Sequence, residues 1–550
     1  MDTNKKGLDN MISNFVSDLK REFKGYNGKS FSKDIMAGLT VTAVALPLAL
    51  AFGVSCGADA AAGLITAIIA GFVISAFSGA SFQISGPTGA MTAVLITIVS
   101  KFGMQGVFIA SLMAGILLLL CGVLKLGNLV SFIPMPVVTG FTSGIAIIIA
   151  LGQIDNFFGT TSVGESAIAK LISYGTLGFS PNWFAVAIGL LVILIMVFYP
   201  KKWNNTVPSS LVAIIVAALV SNLCGFEVAT VGQIPKTLLP ETRLTFSAID
   251  LNMASQLIAP AFTIAMLGII ESLLCGSAAS RMKKEPFNAD QELIGQGIGN
   301  MLIPFFGGVP ATAAIARTSV AIKSGGVTRL TGIIHAVGLL ISMFLLGDLM
   351  AKLPLSALAG VLIVTAWRMN EWESISYIFS KKFKGAIAKF LITMVCTVVF
   401  DLTIAIIVGV AFSFLLFVVK SSKIEINVSK VENDKLKTSS EDVENTHKNS
   451  VVMYITGSMF FGNSAKISSA VEQLEDCDEI IFSLRGVSAI DISCAQLLYE
   501  ICGELLDKNV KLSFCGVQPT VKEVMQRAGV VDLVGEHCFF WSVDKALLTK

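Results

Sequence analysis

Apolar residues fall in blocks of about 20 between residues 35 and 420, the length at which a helix crosses a bilayer. Short polar or glycine-rich gaps separate them. The pattern predicts about fourteen helical segments. Their centres lie near Ala43, Ile68, Ala93, Ile116, Ile147, Leu191, Ile215, Leu267, Gly299, Ala316, Leu339, Leu362, Met394 and Phe412. The third and tenth are short or interrupted. Residues 1–34 are polar and read as a cytosolic N-terminal segment; 35–420 read as a membrane domain. Residues 421–450 are charged and read as a linker. Residues 451–550 return to short apolar runs between amphipathic ones, a small α/β domain. In it, "VVMYITGSMFFG" reads as a strand pair and "AKISSAVEQLE" as a helix. "EIIFSLRGVSAI" and "VKLSFCGV" read as strands, with "DISCAQLLYEICGELLDKN" and "PTVKEVMQRAGV" as helices.

Composition agrees with the blocks. The 550 residues are 54% hydrophobic and 14% charged, where a soluble chain carries about a quarter charged. Loop charge sets an orientation. With the N-terminus inside, the even connections carry Lys125, Lys201, Lys202, Arg281, Lys283, Lys284, Lys323, Arg329, Arg368, Lys381, Lys382 and Lys384. The odd ones carry only Lys101, Lys170, Lys236, Arg243 and Lys352. That bias follows the positive-inside rule and places both termini in the cytoplasm. The ten cysteines are scattered, and the histidines are only His335, His447 and His537. No H-E-x-x-H, Walker A or G-x-S-x-G motif occurs, so no catalytic residue, metal site or cofactor is expected, and nothing points to nucleic acid.

Fourteen segments divide into seven and seven, and an odd number per half makes the halves inverted. Segment three, broken at "SGPTGAM", then corresponds to segment ten, broken at "GGVPATAAIAR". Paired interruptions are the best sequence pointer to a transporter's substrate site, because a broken helix in lipid is tolerated only where it lines a cavity. Two half-helix N-termini aimed at one spot make an anion site. Ser85, Thr88, Ala311 and Thr312 flank the breaks, the hydroxyls as donors. Glu271 lies inside segment eight, where a carboxylate is expensive and suits a proton carrier. Arg317 either snorkels from the end of segment ten or aims its charge at an anion. Asp401 reads as an interfacial acid opening the last segment.

"DIMAGLTVTAVALPLALAFGVSCG", "ISGPTGAM" and "DQELIGQGIGNMLIPFFGGVPATAAIARTSVAIKSGG" resemble the SulP anion transporters, and the C-terminal domain resembles a STAS domain. The resemblance implies an all-α polytopic membrane domain, a uracil-permease-like 7+7 inverted repeat of core and gate, working as an elevator. It implies a homodimer in the bacterial cytoplasmic (inner) membrane. It places the anion among Leu48, Phe52, Thr88, Glu271, Ala316 and Arg317. Sodium-coupled bicarbonate members have Asp at the Glu271 position and Thr at what looks like Ile315, so this chain is expected to couple to protons. Motifs around Glu271 resemble the family's bacterial C4-dicarboxylate transporters, which makes succinate, fumarate, malate or aspartate the expected cargo. Bicarbonate, sulfate or chloride is the alternative, and a membrane-anchored regulator acting through the STAS domain a further one. The STAS resemblance implies Ser493 as a phosphorylation candidate and acyl carrier protein as a candidate partner.

Overall fold

A computed structural model describes residues 13–128, 133–164, 167–200, 207–234, 236–248, 250–400, 402–421, 423–431, 449–474 and 477–548. Asp401 and most of the expected linker lie outside the described residues. The chain forms two compact units, Met1–Val410 and Ala411–Lys550.

The first unit is helical. Its principal elements are α1 (Gly28–Ser55), α2 (Ala60–Phe77), β1 (Ser85–Gly86), α3 (Gly89–Val123), α4 (Met135–Gly152), α5 (Trp183–Phe198), α6 (Ser209–Cys224), α7 (Ile258–Lys283), α8 (Ala289–Leu302), β2 (Thr312–Ala313), α9 (Ile315–Lys323), α10 (Leu330–Met350), α11 (Leu355–Met369) and α12 (Lys384–Val399), followed by α13 (Leu402–Ser421). Every expected centre falls in one of these helices. The third and fourth share α3, whose ladder breaks at Gly103 (φ 64°), a left-handed position open to glycine. Among the described residues, six helical stretches are long and apolar enough to cross a membrane; four further apolar helices, such as Ser209–Cys224, are shorter. Length and hydropathy therefore establish a polytopic membrane unit without fixing fourteen crossings.

Close packing depends on small residues. A Cβ on Gly63 would lie 2.1 Å from the Ala49 carbonyl oxygen, so α1 and α2 meet backbone to backbone only because position 63 is glycine. The start of α1 is tied down by Asp34. Its carboxylate accepts from the Val327 and Thr328 amides (2.6 and 3.1 Å), the Thr328 and Thr331 hydroxyls (2.6 and 2.8 Å) and Tyr26 Oη (2.9 Å).

The chain breaks just before α3 and just before α9 are joined. Ser85 pairs with Ala313 and Gly86 with Thr312, antiparallel, so the two interrupted segments form one two-stranded ribbon.

The second unit carries a five-stranded sheet in the order β3 (Glu425–Lys430), β4 (Ser450–Thr456), β5 (Glu479–Gly486), β6 (Lys511–Cys515), β7 (Phe539–Phe540). β3 and β4 are antiparallel; the later neighbours are parallel. Helices α14 (Ser464–Glu472), α15 (Ile492–Asp507) and α16 (Pro519–Arg527) accompany it. Phe482, Phe514 and Phe539 stack through the core with successive centroids 5.2 Å apart. Two expectations are corrected. The antiparallel partner of β4 lies upstream, in the stretch read as linker, because β3 is an edge strand whose polar residues hide it. The downstream half of "VVMYITGSMFFG" makes only a one-residue bridge, Met459 to Ile490, before a 3₁₀ turn at Phe461–Asn463.

Candidate functional site

The ribbon's residues differ in what they hold. Glu271, on α7, accepts from Thr312 Oγ1 (2.5 Å) and Thr88 Oγ1 (2.8 Å), both at Oε2, and the two hydroxyls lie 3.2 Å apart. One carboxylate thus gathers a threonine from each broken segment.

Thr88 is also the N-cap residue of α3, yet its side chain does not cap the helix. Ala314 stands at the same place on α9, also without a side-chain cap. The first helical bonds are Thr92 N to Thr88 O and Thr318 N to Ala314 O. The amides of Gly89, Ala90 and Met91, and of Ile315, Ala316 and Arg317, therefore precede both ladders, and each set carries the positive end of a helix dipole.

Arg317 does not snorkel. It is 1% exposed, its Nη2 donates to Pro87 O at 2.6 Å, and its Nη1 is buried without a hydrogen-bond partner. Gly86 makes room for it: a Cβ there would stand 2.3 Å from Nη1. A buried guanidinium with an unfilled donor is costly unless something anionic completes it.

Other expected residues are placed less uniformly. Phe52 is buried on α1 with its ring 3.4 Å from where a Gly89 Cβ would be, and Leu48 lies one turn earlier in the apolar core. Ala311 is buried and clamped. Its amide donates to Asn300 Oδ1 (2.8 Å) and its carbonyl accepts from Asn300 Nδ2 (2.9 Å). Ala316 is exposed at the start of α9. The Ser85 hydroxyl accepts from Gln296 Nε2 at 2.8 Å and makes no bond to Glu271. Ser493 is exposed in the first turn of α15, where Asp491 is the N-cap, accepting from the Cys494 amide at 2.8 Å.

Sequence reasoning missed the α8 side chains Glu292, Gln296 and Asn300, spaced four apart on one buried face. Three polar residues at helical spacing in a stretch read from the sequence as membrane-spanning were the available signal.

Comparison with known proteins gives two family models. The model described as "Sulfate permease family" matches residues 31–395, and "STAS domain" matches 442–546. The putative sulfate transporter YvdB of Bacillus subtilis is 34% identical over 533 residues, covering 94% of this chain and 97% of its own length. The bicarbonate transporter BicA of Picosynechococcus sp. is 30% identical over 535 residues, covering 94% of each. The structure of the murine Solute Carrier 26 family member A9 anion transporter in the inward-facing state aligns with a TM-score of 0.81. It covers 94% of this chain and 90% of its own at 17% identity, a likeness of fold.

Proposed function

The chain belongs to the sulfate permease family, and from that premise we propose that it carries a small inorganic oxyanion, sulfate or bicarbonate, together with a proton. It is an anion transporter and not an enzyme. The expected preference for C4-dicarboxylates gains no support from the relatives that span the chain, whose names specify sulfate and bicarbonate.

The observation that carries the reading is the buried, unfilled Nη1 of Arg317 beside two uncapped helix N-termini and the Thr88–Thr312 hydroxyl pair. An anion lodged there takes donors from both broken segments at once. Glu271 Oε2 occupies those hydroxyls in this structure. A carboxylate and an anion about 4 Å apart repel by roughly 4 kcal/mol at an effective dielectric of 20. A proton on Glu271 removes that repulsion and leaves the threonine hydroxyls available to the anion. Coupling then follows from competition for two hydrogen bonds. The hydrocarbon side chain of Ile315 offers sodium no ligand, which supports protons as the driving ion. An elevator movement of the elements bearing this site, in a homodimer, is part of the same proposal.

The test is uptake of radiolabelled sulfate and bicarbonate by full-length protein in liposomes, with succinate alongside. Uptake of either inorganic anion should rise under an inward proton gradient and be indifferent to sodium. Glu271→Gln should retain binding and lose the dependence on pH. Sodium-driven uptake, or succinate taken up in preference to both, would overturn the proposal.

A further inference from the structure

Glu292 is a buried carboxylate for which the coupling scheme has no use. It lies on α8, 0% exposed, and is held by neutral donors: Ser78 Oγ (2.5 Å), Gly79 N (3.2 Å) and Gln296 Nε2 (2.9 Å). Ser78 and Gly79 belong to the turn that leaves α2 for the broken segment. Arg329 Nη1 closes that turn from outside through the Ala76 and Ser78 carbonyls (2.9 and 3.3 Å), while Glu22 holds Arg329 at 2.8 Å. On the inner side, the same Gln296 Nε2 that donates to Glu292 also donates to the Ser85 hydroxyl at 2.8 Å. Ser85 is the β1 residue paired with Ala313, next to the Gly86–Thr312 pair. One hydrogen-bonded chain therefore runs from the turn after α2, through Glu292 and Gln296, to the ribbon that presents Thr88 and Thr312.

We propose that Glu292 is a positioning residue of the anion site: through Gln296 it fixes Ser85, and with it the register and depth of the β1–β2 ribbon. The inference rests on the site reading above. A neutral amide could fill the same volume. The carboxyl group differs in offering an acceptor oxygen on both sides, one to Ser78 and Gly79 and the other to Gln296, whereas a glutamine must turn its own NH2 against one of these donors. Gln296 is then committed with one nitrogen to both Glu292 and Ser85. A ribbon of only two residues per strand has too few bonds of its own to hold a threonine pair at ligand distance. It takes its position from α8. In this role Glu292 touches neither anion nor proton carrier; it acts through Gln296.

A double-mutant cycle in full-length protein tests this, with Glu292→Gln, Ser85→Ala and the pair, reconstituted in liposomes and assayed with radiolabelled sulfate and bicarbonate. Each single change should raise KM on the order of tenfold, the coupling range of contacting residues, with kcat within about twofold. The double variant should be no worse than Glu292→Gln alone. KM losses that multiply, or a fall in kcat with KM unchanged, would overturn the proposal. If Glu292→Gln does not fold, Gln296→Met with Ser85→Ala gives the same cycle one bond further in, with the same two outcomes. Thr312→Val separates the readings. If it leaves KM unchanged, or if wild type takes up neither anion, the site itself is misplaced. If it raises KM while the Glu292 cycle is flat, only the positioning role is lost.

Discussion

At the scale of single residues the site is defined by one unfilled bond. Arg317 was ambiguous as a letter, since an arginine near the end of a membrane helix usually reaches for water. Its burial follows from a neighbour that sequence spacing does not reveal: Gly86, on a segment more than 200 residues earlier, leaves the space Nη1 occupies. Gly86→Ala inserts a methyl 2.3 Å from that nitrogen. The guanidinium must withdraw, and the bond to Pro87 O is strained with it. We expect the apparent Kd for sulfate or bicarbonate, read from the rise in thermal midpoint with anion concentration, to weaken about tenfold or more, as for a charged hydrogen bond worth about 1.5–3 kcal/mol. An unchanged Kd would mean that Arg317 does not meet the anion.

Among elements, the helices were legible and the ribbon was not. Apolar blocks of spanning length announce helices directly, and Gly-Pro and Val-Pro announced the breaks at 86–87 and 309–310. Strands of two residues have no period to detect, so the pairing of Ser85 with Ala313 appears only in the fold. The α8 face was legible in principle, yet its Glu, Gln and Asn read first as part of a motif. Asn300 shows what that face does: it substitutes for a strand by bonding both backbone groups of Ala311. Asn300→Leu leaves a buried N–H and C=O unpaired, at about 1–3 kcal/mol each. The thermal midpoint of the detergent-solubilised protein should fall by several degrees, and radiolabelled anion uptake should fall with it. At the N-terminal edge of α1, burial first and the Asp34 carboxylate second push the Tyr26 phenol up to about 12 from an ordinary 10.0. The folded state then keeps a proton that the unfolded chain releases. The contribution is intact below about pH 10 and is lost as pH rises toward 12. Tyr26→Phe should flatten that part of an alkaline melting profile; an identical profile would show that the phenol keeps its ordinary value.

For the whole molecule, the two units differ in how they meet solvent. The first exposes large apolar side chains along its helices, such as Phe198, Leu223 and Leu345, as a bilayer-embedded surface does. The second closes a core of its own around Phe482, Phe514 and the buried faces of α15 and α16. A core shared with no other unit is the condition for folding alone. Residues 423–550, expressed without the membrane unit, should therefore give a soluble domain with a single cooperative melt. Where the fragment starts decides the result. Reading 421–450 as linker suggests starting at 451, which removes β3 and its six paired positions, Glu425↔Thr456 through Lys430↔Val451. It also removes Ile424, buried against the core, at about 1.5–3 kcal/mol for a side chain of that size. What remains is β4 as an uncovered edge, a row of unpaired N–H and C=O groups that invites pairing between molecules. We expect the 451–550 fragment to melt at least several degrees lower than 423–550, or to aggregate, in parallel calorimetry and light scattering. Equal midpoints with both fragments monomeric would mean that β3 adds nothing and that the sheet is complete from β4 onward.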